Sequence, residues 1–418
     1  MEGRSLKQLP RKLISIVLII CMGMSFAACA ELAPRENNRH LPTMTLALRS
    51  GTYADVLVSC LPKFEEEHGI FCEVLELSED ELHNRVLEDA ANESGLYDLC
   101  MVDGSWTAQY AANDVLADLS DLGYSLDPDI IPATTEICYH NGDVYLAPYY
   151  GNVTVLLYNK ALIEEAGYQS EEIDSLQDIY DICTKTEAGG NYGFMYRGDT
   201  PNNVVVDFLP ILLSFGGWVV DEENRPTVDT PAFHQAMDFY LQLIETGTAT
   251  EKDQVIMAIA NKAAAMGIGW PGWYKPEDGS SADYIALSGK ASDNDPEHNA
   301  NVYGIWAIGI PENSQNKELA AELLTYLMDP EVQKKTVPSG GVPCRYSSLQ
   351  DPKVLESFPQ YEAVCDALEN GVYRPIMEEW SDFCKILGAE MKEIMDGRKS
   401  VDDGLADAQT KLEEMLGQ

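Results

Sequence analysis

Hydrophobic and polar positions along the chain change period several times, and each change marks an element. Met44 to Leu48 is an apolar run that predicts a strand. Val56, Leu57, Cys60, Leu61 and Phe64 then recur at helical spacing, with a kink expected at Pro62. Phe71 to Leu77 reads as strand, Leu82, Val86 and Leu87 as one face of a helix, and Tyr97 to Val102 as a short continuous strand. Strand, helix, strand, helix, strand predicts an α/β fold, with a parallel sheet covered by helices on both faces. In such sheets ligands sit beyond the carboxyl ends of the strands. Two polar stretches occupy those ends, Arg49-Ser50-Gly51-Thr52-Tyr53 after the first strand and Asp103-Gly104-Ser105-Trp106 after the third.

Further along, Asn141-Gly142 separates Ile137-Cys138-Tyr139 from Val144-Tyr145-Leu146, the chemistry of a two-residue type I′ hairpin turn. The apolar, aromatic run from Tyr145 to Lys160 is too long for one ordinary strand, and Pro148 and Gly151 interrupt it, so it is expected to cross between two lobes. Thr230 as N-cap and Pro231 at the first helical position start a helix whose face is Phe233, Ala236, Met237, Tyr240, Leu241 and Ile244. Another helix carries Leu319, Ala320, Leu323, Leu324 and Leu327 before Pro330. The last two are expected through Ile376, Met377, Trp380, Phe383, Cys384 and Leu387, and from Ser400 as N-cap to Met415.

The amino terminus bears on location. Arg4, Lys7, Arg11 and Lys12 precede an apolar stretch from Leu13 to Phe26, closed by Ala27-Ala28-Cys29. This is the pattern of an export signal. Its fourteen or so apolar residues span roughly 21 Å as a helix, short of the ~30 Å hydrocarbon core. Residues 1–28 are therefore expected to be a cleaved signal peptide. Ala27-Ala28-Cys29 resembles a lipoprotein cleavage motif, which makes Cys29 a lipidation site on the mature chain; Phe26 stands where that motif usually has Leu. Residues 29–42 would be a polar tether.

Without Arg4, Lys7, Arg11, Lys12 and Glu2, the 28 basic and 69 acidic side chains fall to 24 and 68, a formal charge near −44. Nucleic acid is excluded as a partner, because phosphate binding needs clustered Lys and Arg. The roughly 390 remaining residues suggest two cores. Eight cysteines beyond Cys29 lie scattered, without CxxC or Cys/His ligand spacing, and are expected to be mostly reduced and buried.

Several blocks occur in order along the chain: Tyr97-Asp98-Leu99 to Trp106 followed by Asp114-Val115-Leu116-Ala117-Asp118-Leu119; Gly142-Asp143-Val144-Tyr145-Leu146-Ala147-Pro148, Leu157-Tyr158-Asn159-Lys160 and Glu165-Ala166-Gly167; Phe215-Gly216-Gly217-Trp218; Lys262-Ala263-Ala264-Ala265-Met266; Asn316-Lys317-Glu318-Leu319-Ala320; and Arg374-Pro375, Trp380, Gly397-Arg398-Lys399-Ser400 and Asp403. Together they resemble extracellular solute-binding proteins of the family 1 type, the lipid-anchored receptors of carbohydrate ABC importers. The resemblance implies a two-lobe periplasmic-binding-protein-like fold of type II with discontinuous lobes joined by a hinge. By that pattern residues 43–150 and 288–340 form the N-terminal lobe, and 151–287 and 341–418 the C-terminal lobe. It also implies a carbohydrate ligand, ABC permease subunits as partners, attachment to the outer face of the cytoplasmic membrane (or a periplasmic location), a monomer, and no cofactor or metal.

A sugar receptor needs flat aromatic surfaces for CH faces and planar polar groups for hydroxyl edges. The aromatic candidates are Trp106, Tyr149, Tyr150, Trp218, Trp270, Trp273 and Trp380, each with an ordinary place in the core as its alternative. Asp103, Arg345 and Arg374 are the polar candidates, with Glu378 behind them and Asn203 and Asp207 on an expected loop. For each arginine the alternative is an ion pair in a chain full of carboxylates. No GxSxG, HExxH, P-loop or GxGxxG after a strand is present, so no catalytic residue is proposed. Two alternatives stay open: a receptor for a polyamine or other cationic solute, and, from a different class, a secreted glycoside hydrolase, which would need two carboxylates facing across a cleft.

Overall fold

The computed structural model describes residues 37, 40–273 and 281–418. The expected signal peptide and Cys29 lie outside the described residues. From Thr43 to Gln418 the chain is one compact unit. Its strands in chain order are β1 (Thr43–Arg49), β2 (Phe71–Leu77), β3 (Leu99–Asp103), the hairpin pair β4 (Tyr139–His140) and β5 (Asp143–Val144), β6 (Ala147–Tyr150), β7 (Val155–Asn159), β8 (Tyr192–Arg197), β9 (Thr248–Thr250), β10 (Ala264–Gly269), β11 (Ala282–Ile285) and β12 (Trp306–Gly309).

Two five-stranded sheets organise the molecule, in the orders β2-β1-β3-β12-β6 and β11-β7-β10-β8-β9. β1 pairs in parallel with β2 and β3, and β12 runs antiparallel to β3 and β6. In the second sheet β8 is parallel to β10 and β9, while β7 is antiparallel to β10 and β11. β3 and β7 are buried along their whole length, as strands covered on both faces must be. Burying each Leu or Val of such a strand contributes about 1.5–3 kcal/mol.

The predicted elements are largely present. The kink near Pro62 is a complete break between helices Thr52–Val58 and Leu61–His68. The hairpin forms on Asn141 (φ 52°) and Gly142 (φ 99°), the positive-φ pair that a type I′ turn demands. Helices Pro231–Glu245, Lys317–Leu327 and Val401–Leu416 stand where periodicity placed them; in the last, the Ser400 hydroxyl accepts from Asp403 N at 3.1 Å. Ile376 and Met377 fall before the penultimate helix, which runs Trp380–Met395. All eight cysteines among the described residues are free.

β6 belongs to the first sheet and β7 to the second, so the run from Tyr145 to Lys160 crosses between sheets at residues 151–154. The return from β11 to β12 is a second crossing. These strands are laced together: Thr154 N donates to Val302 O at 2.9 Å, Gly304 N to Asn152 O at 2.9 Å, and Tyr303 N to Val372 O at 2.9 Å. Val372 thus marks a third crossing, which corrects the boundary expected at residue 341. Val342, Cys344, Leu349, Tyr361, Val364 and Leu368 bury their side chains in the first core, and the second core resumes only at Met377 and Trp380. One face of β7 and β11, through Val155, Leu157, Ala282 and Tyr284, also joins the first core, so the lobes meet over a continuous apolar seam.

Candidate functional site

Strand ends from both sheets converge on one cavity. β1 delivers Arg49, β3 delivers Asp103, and the start of the antiparallel β12 delivers Trp306; from the other sheet β8 delivers Arg197, and β10 ends just before Trp270. Tyr53, Glu79, Asn152, Lys252, Trp273 and Arg374 complete its charged and aromatic lining, and Asn202 and Asn203 face it from the first turn of helix Pro201–Ser214. The enclosed space is about 60 Å³. Small-molecule sites run to about 300–1,000 Å³, so the walls stand closer together here than a bound solute would leave them.

The floor is aromatic. Tyr53 lies 5.6 Å from Trp306 and edge-on to Tyr150 at 4.9 Å. Gly304 is required here: a β-carbon on it would stand 2.6 Å from the Trp270 ring, so glycine lets that indole lie on the backbone. Trp273 is covered by cations, with the Arg197 guanidinium carbon 4.9 Å and Lys252 Nζ 5.9 Å from its rings. Burial pushes the Tyr53 hydroxyl up to about 12, so it stays a neutral donor, and it accepts from Asn152 Nδ2 at 3.1 Å.

Two ion pairs fix the walls. Arg374 Nη2 donates to both Asp103 oxygens at 2.6 and 2.9 Å, and its Nε to Tyr303 O at 3.1 Å. Asp103 also accepts from Ser105 N at 3.0 Å and Ser105 Oγ at 2.7 Å. Arg197 Nη2 reaches Asp207 Oδ1 at 2.5 Å, and its Nη1 donates to Asn203 Oδ1 at 2.7 Å. Burial alone would lower both guanidinium pKa values, but the facing carboxylates more than offset it and keep both charged. Burial, and then the charge of Asp103, lifts the Glu79 carboxyl above its ordinary range. Lys252 is held below its ordinary value, first by burial and then by Arg49 and Arg197 against the pull of Asp253.

Of the residues singled out from the sequence, the structure brings Asp103, Asn203, Trp270, Trp273 and Arg374 together around the cavity. The others lie elsewhere. Trp106 backs Trp306 edge-on at 5.5 Å and stacks on His83 at 4.5 Å, behind the floor. Tyr149 is buried in the first core, and Tyr150 beside it donates its hydroxyl to Gly340 O at 2.5 Å. The Gly216-Gly217 turn carries Trp218 onto the second core. Trp380 is also core, stacked on Phe383 at 5.5 Å. Arg345 is 1 % exposed and fully engaged with Gln333, Asp127, Asp129 and Met328 O, so it holds segments of the first lobe together. Glu378 is exposed. Asn203 and Asp207 sit on a helix rather than a loop, because Thr200 caps it and Pro201 begins it.

Sequence reasoning missed Trp306, Arg197, Lys252 and Glu79 as site residues. Trp306 sits inside an apolar strand with no loop signal, and Arg197 ends β8 in the same way that Asp103 ends β3, a cue that was there to be used. A wider groove of about 760 Å³ lies between helices Leu61–His68, Lys317–Leu327 and Pro330–Thr336. All three helices belong to the first lobe, so filling that groove gives no preference between open and closed forms.

A cavity at the strand ends of two sheets joined by three crossing segments defines a receptor that shuts on a small solute. The chain belongs to the bacterial extracellular solute-binding proteins, whose family it matches over residues 61–363. It is similar to the diacetylchitobiose binding protein DasA of Streptomyces coelicolor, 23% identical over 89% of this chain and 90% of that one. It is also similar to a probable amino-acid ABC transporter periplasmic-binding protein of Sinorhizobium fredii, 22% identical over 88% of each. Among solved structures, maltose-bound MalE3 of T. maritima superposes with a TM-score of 0.80 at 23% identity, covering 89% of this chain and 99% of that one. A solute-binding protein of Agrobacterium vitis with bound D-mannitol gives 0.77 at 20% identity, covering 90% and 98%.

Proposed function

We propose that this protein is the extracellular receptor of a carbohydrate ABC importer, a monomer held to the outer face of the membrane through a lipid on Cys29. It closes around a saccharide and presents it to the permease subunits. The observation that carries this reading is the lining of the cavity, where Tyr53, Trp270, Trp273 and Trp306 offer ring faces beside hydroxyl-binding edges such as Asn152, Asn203 and Arg374. The diacetylchitobiose, maltose and mannitol named for its relatives support the class.

Closure is selected because contacts come from both sheets, and a ligand favours the closed form only by interactions that the open form lacks. A cationic solute is disfavoured by the four cations already on the walls. Hydrolysis is disfavoured because both oxygens of Asp103 are occupied by Arg374 and one of them also by Ser105, so Asp103 does not serve as acid or nucleophile. Titration calorimetry on Trp273→Ala tests the reading. We expect a loss of more than tenfold in saccharide affinity with the melting transition intact; unchanged affinity would remove Trp273 from the site.

A further inference from the structure

The cavity has a charge opposite to that of the chain around it. In a protein with 28 basic and 69 acidic residues, Arg49, Arg197, Lys252 and Arg374 all face one small space. Among the described residues three carboxylates answer them, Glu79 and Asp103 on the lining and Asp207 against Arg197, which leaves one positive charge in surplus there. Asp199 and Asp253 are close in sequence to these groups but are exposed and outside the lining.

The surplus is localised. Arg197 and Arg374 are each in contact with an acid, whereas among the described residues neither Arg49 nor Lys252 has a carboxylate in ion-pair contact. Arg49 Nη1 donates only to Ser50, its enclosed Nε has no partner, and its guanidinium carbon lies 6.0 Å from the rings of Tyr53 and Trp306. Lys252 opens helix Lys252–Ala260 after β9 in the second sheet, and Arg49 ends β1 in the first. Like charges from opposite lobes therefore face the same gap. Helix Pro201–Ser214 adds the positive end of its dipole through the turn that bears Asn202 and Asn203.

We propose that the solute is an acidic saccharide with one carboxylate, bound between Arg49 and Lys252 while its ring lies on the Trp273 and Trp306 side of the cavity. This rests on the saccharide reading above and sharpens it. The anion turns a repulsion across the gap into two attractions, so its charge itself supplies the preference for closure. An arginine fork suits a planar carboxylate, and one surplus charge suits a monoanion; a dianionic phosphate would leave the cavity net negative.

The test is calorimetric titration of the purified protein with matched pairs: glucose and glucuronate, galactose and galacturonate, their β-linked and α-linked disaccharides, glucose 6-phosphate, and the amino acids glutamate and glutamine. The expected result is a uronate bound at least a hundredfold more tightly than its neutral partner. Arg49→Gln and Lys252→Met should each weaken it at least tenfold, Arg49→Lys should recover part of the loss, and circular dichroism melts should show every variant folded. A neutral sugar bound as tightly as its uronate overturns the inference and leaves the saccharide reading standing. Preference for the phosphate overturns the monoanion. Binding confined to the amino acids, or to nothing in the panel, overturns both readings.

Discussion

Arg345 and Arg49 are both basic side chains in the first lobe of an acidic protein, and their surroundings could hardly differ more. Around Arg345, four hydrogen bonds reach Gln333, Asp127, Asp129 and the Met328 carbonyl, tying residues 127–129, 328–333 and 345 into one unit. Arg49 has a serine, two aromatic rings and an enclosed Nε that nothing satisfies. A satisfied guanidinium contributes stability; an unsatisfied one costs stability and keeps its bonding capacity for something that arrives later.

That contrast can be broken by substitution. The largest effect is expected at Arg345: Arg345→Met leaves a buried amide oxygen and a carbonyl without donors and should lower unfolding free energy by about 3 kcal/mol in urea denaturation. Solute affinity should survive, so a comparable loss of affinity would place Arg345 in the site after all. A smaller effect of opposite sign is expected at the cavity. Glu79 has its folded pKa raised above the ordinary 4.5, so its ionised form is penalised by folding. The penalty is full at neutral pH and disappears as pH falls through the raised value to the ordinary one. Glu79→Gln should therefore raise the melting temperature at pH 7, with the gain shrinking toward pH 4.5; a gain that grew on acidification would reverse the sign argued here. The smallest effect is at Trp218, which packs on the second core away from the cavity. Trp218→Ala should change solute affinity by less than twofold while lowering stability.

Much of the architecture was legible because it rests on local chemistry. Period-2 and period-3.6 patterns, the Asn141-Gly142 turn and the cap at Ser400 act within a few residues, and strand ends follow from strands. The lobe boundary was not legible in this way. Val342 to Leu368 carry helical apolar faces that would suit either core, and only the pairing of Val372 with Tyr303 shows which they joined. The site was half legible for a related reason. Trp270 and Trp273 announce themselves through the Pro271-Gly272 turn between them, but Trp306 looks like any residue of a buried strand, and Trp380 like a site residue although it stacks on Phe383. Whether an aromatic faces a cavity or a core depends on which strand lies beside it, and pairing partners such as Trp306 and Asp103 are 203 positions apart.

The turn before Trp273 has one more consequence. A side chain on Gly272 would collide with the Tyr150 hydroxyl, so this second-lobe backbone rests directly on a first-lobe ring. Pulling the halves apart must lift the turn that bears Trp273 off that support, while Arg197 and Lys252 travel with the indole. The protein thus carries its own optical gauge: the colour and yield of Trp273 emission should report how far the jaws stand open, with no dye attached.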